Sequence, residues 1–249
     1  MGLMWQKQKK NKTYEVRSAG ASVRLYTNGV FHSQYNPNHV WTGTLWDLMS
    51  LPIFFYQTTQ IKRVLVLGIG GGTVLRQLDV LLPKVEIHGV DLDQTHIQIA
   101  KRFFKLKRKN IVLHHADARE WLRDYSGEKF DLIIDDLFSD EQGVVQRAIA
   151  VNDEWRNYLL KQLATKGILA INFLSNRELV NSAIYQTPLH QQDLRQCYQF
   201  RTPLTENTIA VFLTQASSIS HLKTRLHQTC EQHQLNAKRL RFRAKCLIP

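Results

Sequence analysis

The stretch Arg63-Val64-Leu65-Val66-Leu67-Gly68-Ile69-Gly70-Gly71-Gly72-Thr73-Val74-Leu75-Arg76 constrains this chain more than any other. An apolar, β-branched run ends in clustered glycines and passes at once into helix-compatible residues, the pattern of a buried strand, a tight turn and a helix N-terminus. Such a turn suits a nucleoside cofactor. Gly68, Gly70 and Gly72, with Gly71 between them, remove side chains where backbone N–H groups would approach a ligand. The helix start beyond them favours negative charge.

Around this turn, strands and helices alternate. Strands are expected at Arg63 to Leu67, Val85 to Val90, Ile111 to His115, Phe130 to Ile134 and Ile168 to Phe173. Helices are expected at Thr73 to Leu82, Gln94 to Phe104 and Asp153 to Leu163, the last capped by Asn152. That is the sequence form of an α/β fold with a parallel sheet and crossover helices. Gln196 to Arg201 and Thr208 to Thr214, joined by a short connection, suit an antiparallel hairpin at its edge. Before the first of these strands, residues 1–13 read as a polar, basic arm. Two alternating runs then flank Asn28-Gly29, a hairpin signal, and Trp41 to Pro52 reads as a helix. After the edge hairpin come a helix and the basic segment Lys238 to Lys245. Three units follow: an N-terminal element (1–58), a nucleoside-binding domain (59–215), and a C-terminal helix with basic tail (216–249).

The formal charge of +12 admits contact with polyanions, yet a dispersed basic surface accounts for it equally, and nucleic acid is not the favoured partner. Three cysteines, Cys197, Cys230 and Cys246, are too few and too scattered for a disulfide framework or zinc site, so no metal is expected and a reducing cytoplasm is. No stretch is long and apolar enough to span a bilayer, and no membrane partner is expected.

Ligands of open parallel sheets bind beyond the carboxyl ends of the strands. Here those positions carry Asp91, Asp117 and the pair Asp135-Asp136. Asp91 can accept both hydroxyls of a ribose; Asp117 can accept from an adenine amino group or cap the helix that follows it. Asp91 lies near the distance of about 20 residues expected of a dinucleotide site. The third glycine of that pattern, however, falls on Thr73. The acidic groups after the later strands favour a sulfonium nucleoside over NAD.

These residues resemble the spermidine-synthase-like branch of class I S-adenosylmethionine-dependent transferases. The similarity runs through Val64 to Gly72, Val90-Asp91-Leu92-Asp93, His115-Ala116-Asp117-Ala118-Arg119 and Phe130 to Asp136. It implies a Rossmann-like, seven-stranded, mostly parallel class I methyltransferase sheet with a small N-terminal β-rich element, and homodimers. It also implies S-adenosylmethionine or its decarboxylated form held by Gly68 to Gly72, Asp91 and Asp117, with Asp93 and Ala118 beside them. Asp136 matches the carboxylate that takes the proton of an attacking amine, and Asp135 is a neighbour able to raise the pKa of the pair.

The acceptor half departs from the family. Family members carry D-G-x-x-Q, Y-H-E and D-x-x-D-P-x-G-P. This chain has Asn28-Gly29-Val30-Phe31-His32, then Leu45-Trp46-Asp47, then Asp136-Leu137-Phe138-Ser139-Asp140. Trp46, Asp47 and Asp140 are therefore the acceptor-site candidates, and the acceptor is a small molecule, an amine among the options. On these departures the sequence favours methyl transfer over aminopropyl transfer, with a non-catalytic basic binding module as a further alternative.

Overall fold

The computed structural model describes residues 1–141 and 144–249, without the side chains of residues 140–144. The chain opens with four antiparallel strands in sequential order, β1 (Gly2–Lys9), β2 (Lys12–Ala19), β3 (Ser22–Thr27) and β4 (Val30–Tyr35). Asn28 (φ 51°) and Gly29 (φ 80°) are both left-handed, the geometry that makes Asn-Gly a tight hairpin turn. The basic stretch expected to be an arm is instead β1. It turns back at Lys10 (φ 53°), and the Trp5 ring packs 5.8 Å from that of Phe103. Its polar outer face concealed a strand that draws its order from β2.

Next come α1 (Leu45–Ser50) and a single-turn 3-10 segment, Leu51–Phe55, which breaks the longer helix expected here. Residues 41–56 lie in the same buried cluster as Val64, Val66, Leu75 and Ile134. The crossover region then supplies β5 (Arg63–Leu67), α2 (Thr73–Leu81), β6 (Glu86–Asp91), α3 (Gln94–Phe103), β7 (Ile111–His115), α4 (Ala118–Asp124) and β8 (Phe130–Asp135). A small ribbon of β9 (Phe138–Glu141) and β10 (Val144–Arg147) precedes α5 (Asp153–Gln162) and β11 (Leu163–Phe173). Short helices α6 (Asn176–Val180) and α7 (Ala183–Gln186) lead to β12 (Gln196–Arg201), β13 (Thr208–Leu213), α8 (Ile219–Gln232) and β14 (Arg243–Ile248).

The main sheet runs β14-β12-β13-β11-β8-β5-β6-β7. Strands β7, β6, β5, β8 and β11 are mutually parallel, and β13 and β12 form the expected antiparallel hairpin. The sheet has eight strands rather than seven, because the basic tail pairs with β12 as β14. Arg243 and Lys245 point to solvent while Ala244 and Cys246 turn inward, the period of an edge strand protected by charge.

Alternation along each central strand feeds two cores. Leu132, Ile134, Ile168 and Ala170 face the layer that contains α2 and residues 41–56; Ile133, Leu169, Ile171 and Phe173 face the layer that contains α4 and α5. Burying both faces explains why these strands read as unbroken apolar runs. It also decides which face each residue beyond a strand end must take.

Candidate functional site

At the end of β5 the chain reverses through Gly68 (φ 80°), Gly70 (φ 51°) and Gly72 (φ 89°), values that L side chains adopt only with strain. These glycines make room for protein. A Cβ on Gly68 would stand 2.3 Å from the Asp136 carbonyl oxygen, one on Gly70 2.9 Å from Ser33 Oγ, and one on Gly72 2.1 Å from Leu106 Cδ1. Every N–H of the turn has an acceptor within the chain. Gly68 N–H bonds Val90 O, Ile69 and Gly70 N–H both bond Asp91 Oδ2 at 3.0 Å, Gly71 N–H bonds Ser33 Oγ at 2.7 Å, and Gly72 N–H bonds Ile69 O. β4 thus reaches the turn through Ser33, and Asp91 takes two of its N–H groups.

Asp91, at the tip of β6, is buried, and its other oxygen accepts from Asp93 N–H at 2.7 Å. Burial opposes its ionisation, but His96, whose Nδ1 stands 3.7 Å away, and the backbone donors outweigh that and hold its pKa below the ordinary carboxylate range. Three N–H bonds occupy its two oxygens, so it keeps limited capacity for a ribose hydroxyl. Asp93 caps α3 through Thr95 N–H and accepts from Tyr14 Oη at 2.6 Å and Lys12 Nζ at 3.2 Å. His96 bonds Thr27 Oγ1 at 2.9 Å. The N-terminal sheet is thus fastened to Asp93 directly and to Asp91 through His96. Asp117 is the N-cap of α4, its Oδ1 accepting from Arg119 and Glu120 N–H, and Ala118 is the buried first residue of that helix.

Asp135 and Asp136 part company because a strand alternates. Asp135 points into the α4–α5 layer and is fully buried. It accepts from Arg147 Nη2 at 2.7 Å, Trp155 Nε1 at 2.8 Å and Leu137 N–H at 3.3 Å. That carboxylate is engaged by an ion pair and an indole. Asp136 turns the other way; its backbone lies beside the glycine turn, at the carboxyl edge of the sheet where a ligand crevice is expected, and the residue keeps some exposed surface. Its Oδ1 accepts from Asn172 Nδ2 at 2.7 Å, and Asn172 Oδ1 accepts in turn from Asn207 Nδ2 at 3.0 Å. Burial among protein atoms, opposed by the Asn172 bond and aided by the charges of Asp135 and Asp91, pushes the Asp136 pKa up to about 7. A carboxylate so poised can hold or take a proton near neutrality.

The acceptor candidates do not gather there in the same way. Asp47 is buried, and both its oxygens are committed: to Thr42 N–H and Oγ1, Gly43 N–H and Gln77 Nε2. These bonds hold the entry of α1. Trp46 is buried edge-on against Phe31, ring centroids 5.0 Å apart. The Asp140 side chain lies outside the described residues. Asn172, Asn207, His96, Ser33 and Arg147 were missed by the sequence reading. Asn172 alone carried a signal, a single polar residue near the end of an apolar strand. Among the described residues no group of three or more His, Cys, Asp or Glu side chains could hold a metal ion, and no helix is long and apolar enough to cross a membrane.

Residues 46–201 match the spermine/spermidine synthase domain. The chain belongs to that family. Within the family it is 27% identical over 164 residues to the polyamine aminopropyltransferase of Vibrio vulnificus, a match covering 64% of this chain and 52% of that protein. It is 32% identical over 111 residues to a probable polyamine aminopropyl transferase of Bifidobacterium longum, covering 45% of this chain and 24% of that one. The matches thus span about half or less of these relatives' length. Among solved structures, a probable spermidine synthase from Corynebacterium glutamicum superposes with a TM-score of 0.76 at 16% identity, over 97% of this chain and 90% of that one. Human methyltransferase-like protein 13 with SAH gives 0.61 at 17% identity over 76% of this chain and 90% of that one, which shows a shared fold.

Proposed function

We propose that this spermine/spermidine synthase family member transfers an aminopropyl group from decarboxylated S-adenosylmethionine to an amine. The observation that carries the reading is Asp136, a carboxylate at the end of β8 with a pKa near 7, oriented by Asn172 beside the glycine turn. An ammonium has no lone pair. Asp136 would accept the acceptor's proton as nitrogen bonds to the aminopropyl carbon and the carbon–sulfur bond breaks. The donor supplies its own leaving group, a neutral thioether nucleoside. The protein's part is to orient the amine, keep water out and hold that proton.

Two features move the reading from methyl to aminopropyl transfer. The glycine turn has no spare N–H for a carboxylate, and the decarboxylated donor has no carboxylate to place. Asn28, counted above as a departure in the polyamine motif, is a turn residue whose Oδ1 accepts from Thr13 N–H at 2.9 Å. Asn and Asp both suit that left-handed position, so the exchange leaves the acceptor site unargued. Methyl transfer retains support only from the shared fold. The test is product analysis by mass spectrometry, with each donor offered against a panel of diamines. Aminopropylated amine from the decarboxylated donor is expected; methylated product from S-adenosylmethionine with no aminopropylated product would overturn the reading.

A further inference from the structure

A cavity of about 460 Å³ lies away from the crevice, between α2, residues 34–42 and residues 234–239. Thr73 and Gln34, whose mutual hydrogen bonds tie β4 to the start of α2, form part of its wall. A smaller cleft of about 340 Å³, lined by Lys238, Arg239, Arg241, Leu204 and Gly43, adjoins it, and Arg239 lines both. Arg76, Arg239, Lys238, Arg241 and His39 face these two spaces, and no carboxylate lines either.

Arg76 is the distinctive member. Its guanidinium lies over the Tyr35 ring, 4.9 Å from the centroid, which fixes its plane. The Nε is buried with no hydrogen-bond partner among the described residues. Asp79, the one carboxylate near it, stands 3.8 Å away and is closer to Arg108, at 2.9 Å. A guanidinium held in place with its buried Nε unpartnered is costly unless something supplies an acceptor. Neutral amides of Asn36 and Asn236 also line the wall, and can give or take hydrogen bonds from a polar body. The volume falls within the range of about 300–1,000 Å³ typical of small-molecule sites.

We infer that this cavity binds a small phosphorylated molecule, its phosphate held by Arg76 and Arg239 and any further anionic group reaching Lys238 and Arg241. Planar guanidinium forks suit phosphate oxygens, and several cations in a lining without carboxylates suit a polyvalent anion. A concave space of this volume beside the exposed cleft favours a small ligand over a nucleic-acid strand lying on the surface.

The test is calorimetric titration of the full chain with inorganic pyrophosphate and with ribose 5-phosphate, neither of which carries a base for the donor crevice. Binding is expected, weakened about tenfold in Arg76→Gln and in Arg239→Gln. Affinity for the decarboxylated donor should be unchanged in both. Arg239 is exposed, so its variant keeps the test valid if Arg76→Gln folds poorly. Equal affinity in wild type and Arg239→Gln, or no binding of either probe up to about 1 mM, would overturn the inference. So would binding confined to single-stranded oligonucleotides, with a steep salt dependence removed by Lys238→Gln and Arg241→Gln. Tighter binding of ribose 5-phosphate than of pyrophosphate would support it and point to a sugar-phosphate ligand; the reverse would support it for a diphosphate.

Discussion

Asn172 Nδ2 donates to Asp136 Oδ1 at 2.7 Å, joining the carboxyl ends of two parallel neighbours, β11 and β8, across the mouth of the crevice. The bond fixes the carboxylate's orientation and favours its charged form, while burial and the charges of Asp135 and Asp91 oppose ionisation. That balance would let Asp136 act as a base in the proposed transfer rather than as a permanently charged anchor.

Catalysis should follow the charge of Asp136. Below about pH 7 the group is protonated and cannot accept a proton, so kcat/KM should fall as pH drops through that value. Asp136→Asn should lower kcat by about 100- to 10,000-fold. Asn172→Ala removes the bond that favours the anion, so the acid limb should move to higher pH. A pH–rate profile checks both, and an unmoved limb in Asn172→Ala would discard the orienting role.

The same group should affect stability with the opposite sign. Its pKa in the fold is above the unfolded value, so the fold loses stability as pH rises from the ordinary carboxylate range to about 7. Above pH 7 Asp136→Asn should therefore be more stable than wild type, on the order of 2 kcal/mol after allowance for partial exposure. Urea titrations at pH 5 and pH 8 measure the difference.

Asp135 should be a stability residue. It is fully buried against Arg147 and Trp155, so Asp135→Ala removes the closer counter-charge of a buried guanidinium, leaving Glu178 at 3.9 Å, and should cost about 3–5 kcal/mol. Folded Asp135→Ala should keep most of its kcat. If stability holds and kcat instead falls as far as in Asp136→Asn, the assignment is wrong.

Gly72→Ala should destabilise for two separable reasons, a φ of 89° and a Cβ placed 2.1 Å from Leu106 Cδ1. A penalty of about 2–4 kcal/mol is expected. Adding Leu106→Ala should relieve the overlap while the backbone term, about 1 kcal/mol, persists. The double-mutant cycle in urea reads that coupling.

Acid should loosen the N-terminal sheet. Bonds from Tyr14 and Thr95, with the nearby charges of His96 and Lys12, outweigh burial and hold the Asp93 pKa down to about 2. Its stabilisation is complete above the unfolded value and lost as pH falls from about 4 to about 2, roughly 2 kcal/mol in all. Asp93→Asn should lack that slope, as thermal melts across this range would show.

Local chemistry made much of the fold readable. The apolar run of β5, the Asn28-Gly29 turn, the Asn152 cap, which accepts from Trp155 N–H, and the β12–β13 hairpin each declare themselves within a few residues. β1 and β14 did not, because an edge strand keeps a polar face and owes its pairing to a partner distant in sequence. In the site, the sequence alone determined that acidic groups would stand after β6, β7 and β8 and that glycines would permit a sharp reversal. Only the tertiary structure decided which partners each one took. Asp91 and Ser33 take up N–H groups that looked open to a ligand, and neighbouring elements consume Asp135 and Asp47. Asp136 alone of the adjacent pair reaches the crevice, its pKa set by burial and by Asn172, 36 residues away along the chain. A hydrogen-bond donor or a charge has one meaning in a sequence and another once its partners are fixed, because burial makes every unsatisfied group costly.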